Sequence, residues 1–305
     1  SIGLVGSEMC IRDSFQCMVD KINIIECPRD AIQGIKQLID TKEKLKYLQS
    51  IIDTGFDVID IGSFVSPKAI PQMSDTGKII DSIDLSNSSS DLLVIVANIK
   101  GALKAVQYEK ISYVGYPFSV SETFQIRNTN KTIKESIDEL SEIIAITEKA
   151  NKKMVVYLSM CFGNPYGDSW NIEIVNQWVN QLNKLGVKII SLSDTIGTAN
   201  SSSIKSIFSS VSKNHKKIEF GAHLHSDPNT INEKISSAFD SGCRRFDGVM
   251  KGFGGCPMAS DKLVGNIPTE SIISFVSEKK INTNVNIEKF KACLKKSEEF
   301  YLRYN

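Results

Sequence analysis

Eight short, nearly continuous apolar runs punctuate this chain, and amphipathic segments separate most of them. The runs are residues 22–27 (INIIEC), 58–62 (VIDIG), 92–98 (LLVIVAN), 111–116 (ISYVGY), 154–160 (MVVYLSM), 188–194 (KIISLSD), 218–225 (IEFGAHLH) and 245–250 (RFDGVM). A strand that is apolar along its length is buried on both faces, as in a parallel sheet covered by helices. In residues 41–55, Leu45, Leu48, Ile51 and Ile52 fall on one helical face and Gly55 is placed to stop the helix. In residues 133–144, Ile133, Ile137, Leu140 and Ile144 recur at helical spacing, and the patterns over 171–186 and 229–242 each end at a glycine. The alternation predicts an α/β chain folded as a (β/α)8 TIM barrel, with residues 286–305 as an additional C-terminal helix outside it. The rival, a doubly wound open sheet, expects a glycine-rich phosphate turn. No G-x-G-x-x-G follows the first strand, and no G-x-x-x-x-G-K-[ST] occurs anywhere.

With 305 residues, 41% of them hydrophobic, the chain can bury one large core. A net charge of +1 without a basic block argues against nucleic-acid and anionic-membrane partners. No run reaches the roughly 18 apolar residues of a membrane span. The seven cysteines, at 10, 17, 27, 161, 243, 256 and 293, have no paired spacing. That argues against a disulfide framework or zinc ribbon, and the cytoplasm is the expected location. Residues 1–14 (SIGLVGSEMCIRDS) have neither the basic start nor the long apolar centre of a signal peptide. They read like translated adapter sequence, and Met18 is a more natural start. A non-native or disordered extension over 1–14 and a single barrel domain over 15–305 are therefore expected.

In a barrel of this kind the chemistry sits at the C-terminal ends of the strands. Those ends carry Arg29, Asp30 and Gln33 after the first run, Asp60 in the second, Asn98 in the third, and Ser193 to Gly197 after the sixth. His223 and His225 lie in the seventh, and Cys256 and Asn266 follow the eighth. Side chains at i and i+2 of a strand share a face, so His223 and His225, two of only three histidines, would both point into the barrel mouth. Alone, H-x-H is an even choice between a hydrogen-bonded core pair and metal ligands. Asp30 and Asn266 tip it toward metal, because two imidazoles, a carboxylate and an amide oxygen suit a divalent ion such as Mg2+ or Mn2+. Arg29–Asp30 alone would read as a surface ion pair or helix cap, but here it ends a buried strand. Cys27, Cys161, Cys243 and Cys293 read as small buried hydrophobes. Cys256 differs by its glycine-rich company.

From about residue 21 to 290 the chain resembles 3-hydroxy-3-methylglutaryl-CoA lyase, a family of the DRE-TIM metallolyases. The matching stretches are PRDAIQG (28–34), GSFVSPKAIPQM (62–73), SETFQIRN (121–128), SDTIG (193–197), AHLH (222–225) and GFGGCPMASDKLVGNIPTE (252–270). The resemblance implies metal-dependent cleavage of a 3-hydroxy-3-methylglutaryl thioester to acetyl-CoA and acetoacetate. It implies Asp30, His223, His225 and Asn266 as metal ligands, Arg29 at the thioester oxygen, Asp60 as supporting acid and Cys256 as a proton carrier on a loop. His223 or Asp30 would serve as base. Gln33, Asn98, Ser193 and Thr195 are the candidate substrate contacts. An acyl-CoA substrate, a homodimer and a role in leucine breakdown and ketone-body formation are further implications. The chain departs from the family pattern at Ala31-Ile32, at Asp60 in place of a common glutamate, at Ser193 and in the length of the loop from Cys256 to Asn266. Three alternatives stay open: a condensing relative of the isopropylmalate or homocitrate synthase type, a degenerate paralogue that binds metal or acyl-CoA without turnover, and a zinc hydrolase.

Overall fold

The computed structural model describes residues 21–254 and 264–304. The expected extension over 1–14, and Cys256, lie outside the described residues. Eight strands form: β1 (Asn23–Glu26), β2 (Val58–Ser63), β3 (Asp91–Ile95), β4 (Ile111–Ser119), β5 (Lys153–Ser159), β6 (Ile189–Asp194), β7 (Glu219–Leu224) and β8 (Arg245–Gly248). Each pairs in parallel with the next, and β1 pairs with β8, closing the barrel. This is the expected TIM barrel, and each of the eight apolar runs supplies one strand. The third strand stops at Ile95, short of the expected residue 98, because Asn98 caps the helix Ile99–Ala105 by accepting from the Gly101 N–H at 2.8 Å.

The helices bury the faces that the sequence pattern marks, with local adjustments. Thr132 and Glu135 form a reciprocal capping box that starts the helix Ile133–Lys149. Its buried face adds Ser136, Ile143 and Thr147, and Ile137 is only partly covered. In the helix Thr41–Ile52 the buried face is Lys44, Tyr47, Leu48, Ile51 and Ile52, turned away from Leu45. Lys44 enters the interior because its Nζ donates to the Gln72 carbonyl and to Asp75 Oδ1, each at 2.6 Å. The tail forms the helix Ile287–Tyr304. Phe300 stacks on Tyr47 with centroids 4.3 Å apart, and Tyr301 packs on Phe253 at 4.4 Å. The tail therefore braces the segment that leaves β8. Among the described residues, no helix is long and apolar enough to cross a membrane.

Two backbone features shape the mouth of the barrel. The β2–β3 register slips between Asp60 and Gly62, a bulge that redirects the chain just after a buried acid. Gly62 has no room for a Cβ, which would lie 2.6 Å from the Thr76 side chain.

Candidate active site

The strand ends deliver Arg29, Asp30, His223 and His225 to one cavity of about 380 Å³. Arg29 and Asp30 belong to a six-residue helix, Pro28–Gln33, that starts directly after β1. Pro28 needs no hydrogen-bond partner for its nitrogen there, and its fixed φ suits a first helical turn. The turn folds Arg29 back over β2. Arg29 Nε and Nη2 both donate to Asp60 Oδ2, at 3.0 and 2.6 Å, and Nη1 donates to Asp30 Oδ1 at 3.0 Å. Two of its five N–H groups remain beyond these three bonds. Burial works against the guanidinium charge, but Asp60 and then Asp30 raise its pKa further above its already high value. Burial pushes the Asp60 carboxyl up to about 6, against the pull of Arg29. It stays ionised at neutral pH.

Asp30 is held ionised more firmly. Burial opposes its charge, yet Arg29, the two imidazoles and the Asn266 amide bring its pKa below the usual carboxylate range. Gln33 Nε2 donates to Asp30 Oδ1 at 2.9 Å, and Asn266 Nδ2 donates to Oδ2 at 2.8 Å. Asn266 arrives through an antiparallel bridge to His225, with Ile267 N–H donating to the Leu224 carbonyl and Ser226 N–H to the Gly265 carbonyl. On the other side, Gly254 at φ +88° lies so close that a Cβ would come within 2.8 Å of Ala31 Cα. Glycine is required there for both reasons.

The two histidines are oriented separately. His225 Nδ1 lies 3.1 Å from the Thr195 carbonyl, so Nδ1 carries the proton and Nε2 keeps its lone pair. Nε2 is buried and has no hydrogen-bond partner among the described residues. Burial and the neighbouring His223 lower the His225 pKa to about 4, so the ring is neutral at physiological pH. His223 Nδ1 faces Asp247 Oδ2 at 3.1 Å, and Ser191 Oγ donates to the same oxygen at 3.2 Å. Burial opposes a charge on His223, but the Asp247 hydrogen bond and charge raise its pKa. The Tyr157 ring meets His223 edge-on with centroids 5.5 Å apart. One ligand atom from each of Asp30, His223 and His225 lies within 4.8 Å of the others. An unpartnered buried imidazole nitrogen beside a carboxylate held ionised fits a divalent cation. A hydrogen-bonded core pair would leave no such nitrogen.

The remaining expected residues fall into distinct places. Gln33, Asn98, Ser193 and Thr195 all line the cavity. All four are also committed to the protein: Gln33 to Asp30, Asn98 to its helix cap, Ser193 through its Oγ, which donates to the Ser191 carbonyl at 3.3 Å, and Thr195 through its Oγ1, which accepts from the Met160 N–H at 3.0 Å. Asp60 is fully buried behind Arg29 and does not line the cavity. Cys27, Cys161, Cys243 and Cys293 are free and buried, as expected. Cys27 adds a finding: its sulfur, His223 and Asp247 form a second close group on the inner side of His223. Sequence reasoning passed over Asp247 and Tyr157. The signal for Asp247 was a carboxylate within a buried strand, two residues after Arg245, where nothing apolar would tolerate it unpaired.

Known proteins are similar to the chain in sequence and in fold. The sequence model of the family described as HMGL-like matches residues 21–295. A hydroxymethylglutaryl-CoA lyase of Bacillus subtilis is 32% identical over 280 residues, covering 92% of this chain and 93% of its own. The crystal structure of the B. subtilis HMG-CoA lyase superposes with a TM-score of 0.85 at 32% identity, covering 92% of this chain and 93% of that one. An HMG-CoA lyase from Acinetobacter baumannii, solved with coenzyme A and 3-methylmalate, gives a TM-score of 0.83 at 28% identity, covering 91% and 90%. Taken with the match along the whole barrel, these findings make this chain a member of the HMGL-like family.

Proposed function

We propose that the chain cleaves 3-hydroxy-3-methylglutaryl-CoA to acetyl-CoA and acetoacetate, with Mg2+ or Mn2+ held by Asp30, His223, His225 and Asn266. The observation that carries the reading is the meeting of Arg29, Asp30 and the two oriented imidazoles at one cavity, in a chain about a third identical to a lyase along nearly its full length. When bound, the cation would act as a Lewis acid on the tertiary hydroxyl and orient the bond to be broken.

The protein's own groups account for the rest. The hydroxyl proton goes to His223 rather than to Asp30. Asp247 stands behind Nδ1 to balance the imidazolium, whereas Asp30 is bound by three donors and is a weak base. With Nδ1 turned to Asp247, His223 offers Nε2 to the cavity, and that nitrogen would hold either the cation or the hydroxyl proton, not both at once. As the hydroxyl oxygen becomes the ketone of acetoacetate, the C2–C3 bond breaks and its electrons form the thioester enolate. The two remaining N–H groups of Arg29 would donate to the enolate oxygen, and a fixed donor at developing charge is typically worth about 3 kcal/mol. Proton delivery to the enolate carbon is assigned to Cys256. Gln33, Asn98, Ser193 and Thr195 border the substrate.

The same reading includes a single lyase domain over 15–305, a homodimer, and a cytoplasmic location, with which the free thiols agree. Incubation with 3-hydroxy-3-methylglutaryl-CoA and Mg2+ or Mn2+ tests it. Acetoacetate release supports cleavage; condensation of acetyl-CoA onto a 2-oxo acid with no acetoacetate would favour the synthase-type relative.

A further inference from the structure

The helix Ile231–Asp240 points a lysine into the protein. Lys234 is only 2% exposed. An ammonium has three N–H groups, and here each finds one acceptor: Asp194 Oδ2 at 2.8 Å, the Gly197 carbonyl at 3.0 Å and the His225 carbonyl at 2.6 Å. Asp194 ends β6, and its Oδ2 also accepts from the Ala199 N–H at 3.1 Å. The loop from Asp194 to Ala199 therefore wraps around one buried charge. Thr195, whose carbonyl orients the His225 ring, sits inside that loop. The same ammonium thus fixes the backbone of His225 and the segment that supplies the acceptor for its Nδ1.

A buried ion pair is a poor source of net stability, because desolvation offsets much of the attraction. A lysine on the buried face of a helix is better explained by what it holds in place. We propose that Lys234 is a positioning residue for the metal site, setting His225 from both its backbone and its ring. The inference rests on the proposed role of His225 as a ligand. It concerns Lys234 itself, whose three bonds go to Asp194 and to the Gly197 and His225 carbonyls, away from the cavity lining.

The test measures Mn2+ binding to the purified full chain by titration calorimetry and by the electron paramagnetic resonance signal of free Mn2+. Lys234→Met is close in volume but donates nothing, and a weakening of roughly 10- to 100-fold is expected, the usual scale for groups that orient ligands. Lys234→Gln keeps two donors and should fall between Met and the wild type. Because Lys234→Met strands a buried carboxylate and could unfold, Asp194→Asn/Lys234→Met is the control. It should keep a thermal midpoint near the wild type while binding Mn2+ as weakly as the single variant. A folded double variant that binds Mn2+ like the wild type would overturn the positioning role alone. A wild-type protein that binds neither Mn2+ nor Mg2+ would overturn the metal reading and this inference together.

Discussion

Replacing Arg29 by glutamine separates what the guanidinium does for folding from what it does for chemistry. In the structure it makes three charge-assisted bonds to two buried carboxylates, Asp60 and Asp30. Losing one partner of a buried pair costs about 3–5 kcal/mol. For a domain of this size, at about 2–4 °C per kcal/mol, the thermal midpoint should fall by roughly 6–20 °C. The loss should be smaller at pH 5.5 than at pH 8, because Asp60, already pushed up to about 6 by burial, can then protonate and shed its stranded charge. On the chemical side, removing the donor at the enolate oxygen should lower kcat by roughly 100- to 1,000-fold. The second variant, Arg29→Gln/Asp60→Asn, neutralises the stranded acid. It should regain most of the thermal midpoint and none of the turnover. Unfolding followed by calorimetry and acetoacetate formation at saturating metal give the two readouts. Recovery of kcat in the double variant, or an unchanged kcat in Arg29→Gln, would refute the assignment of Arg29 to the reacting oxygen.

Other perturbations follow from the same geometry. Glu26 is fully buried, accepting from the Met250 N–H at 2.9 Å and from Thr269 Oγ1 at 2.5 Å, and burial pushes its pKa up to about 8. Its folded pKa exceeds its unfolded one, so its contribution is complete below about 4.5 and is lost as pH rises to about 8, at up to about 1.4 kcal/mol per pH unit. Glu26→Gln should flatten stability across that window; denaturant midpoints at pH 5 and pH 8 that still diverge as in the wild type would contradict this. Gly254→Ala should cost about 1–3 kcal/mol of stability through strain at φ +88° and contact with Ala31. It should also weaken divalent-metal affinity by displacing Asp30 and Asn266, and calorimetric titration that finds wild-type affinity would count against that coupling. Mn2+ at a hundred times its Kd should stabilise the chelator-treated protein by about 2.7 kcal/mol. The shift should vanish in His225→Ala; persistence there would place the metal elsewhere.

The barrel was readable because a strand buried on both faces has little choice of residue. Each of the eight apolar runs became a strand, and the ends of those strands carry the site. The proposed metal ligands stood out for a related reason: Asp30, His223 and His225 are polar groups where burial should exclude them. Helix faces were less legible. The turn of the helix Thr41–Ile52 toward Lys44, and away from Leu45, depends on a carbonyl and a carboxylate from a distant loop that meet the ammonium. Lys234 was hidden in the same way, as a charged residue in an amphipathic pattern whose three acceptors come from β6, its following loop and the end of β7. Asp247 was visible as a carboxylate in a strand, but its partner His223 lies 24 residues away on the neighbouring strand and is named only by the barrel register. Gln33, Asn98 and Thr195 show the reverse: position at a strand end was legible, while their engagement with Asp30, a helix cap and Met160 required the folded backbone.

The most direct measurement is product analysis of the purified protein given 3-hydroxy-3-methylglutaryl-CoA in a metal series. The account predicts acetoacetate and acetyl-CoA in equal amounts with Mg2+ or Mn2+, and none after chelation. Absence of acetoacetate with every divalent ion, in a protein that is folded and binds the metal, would contradict it.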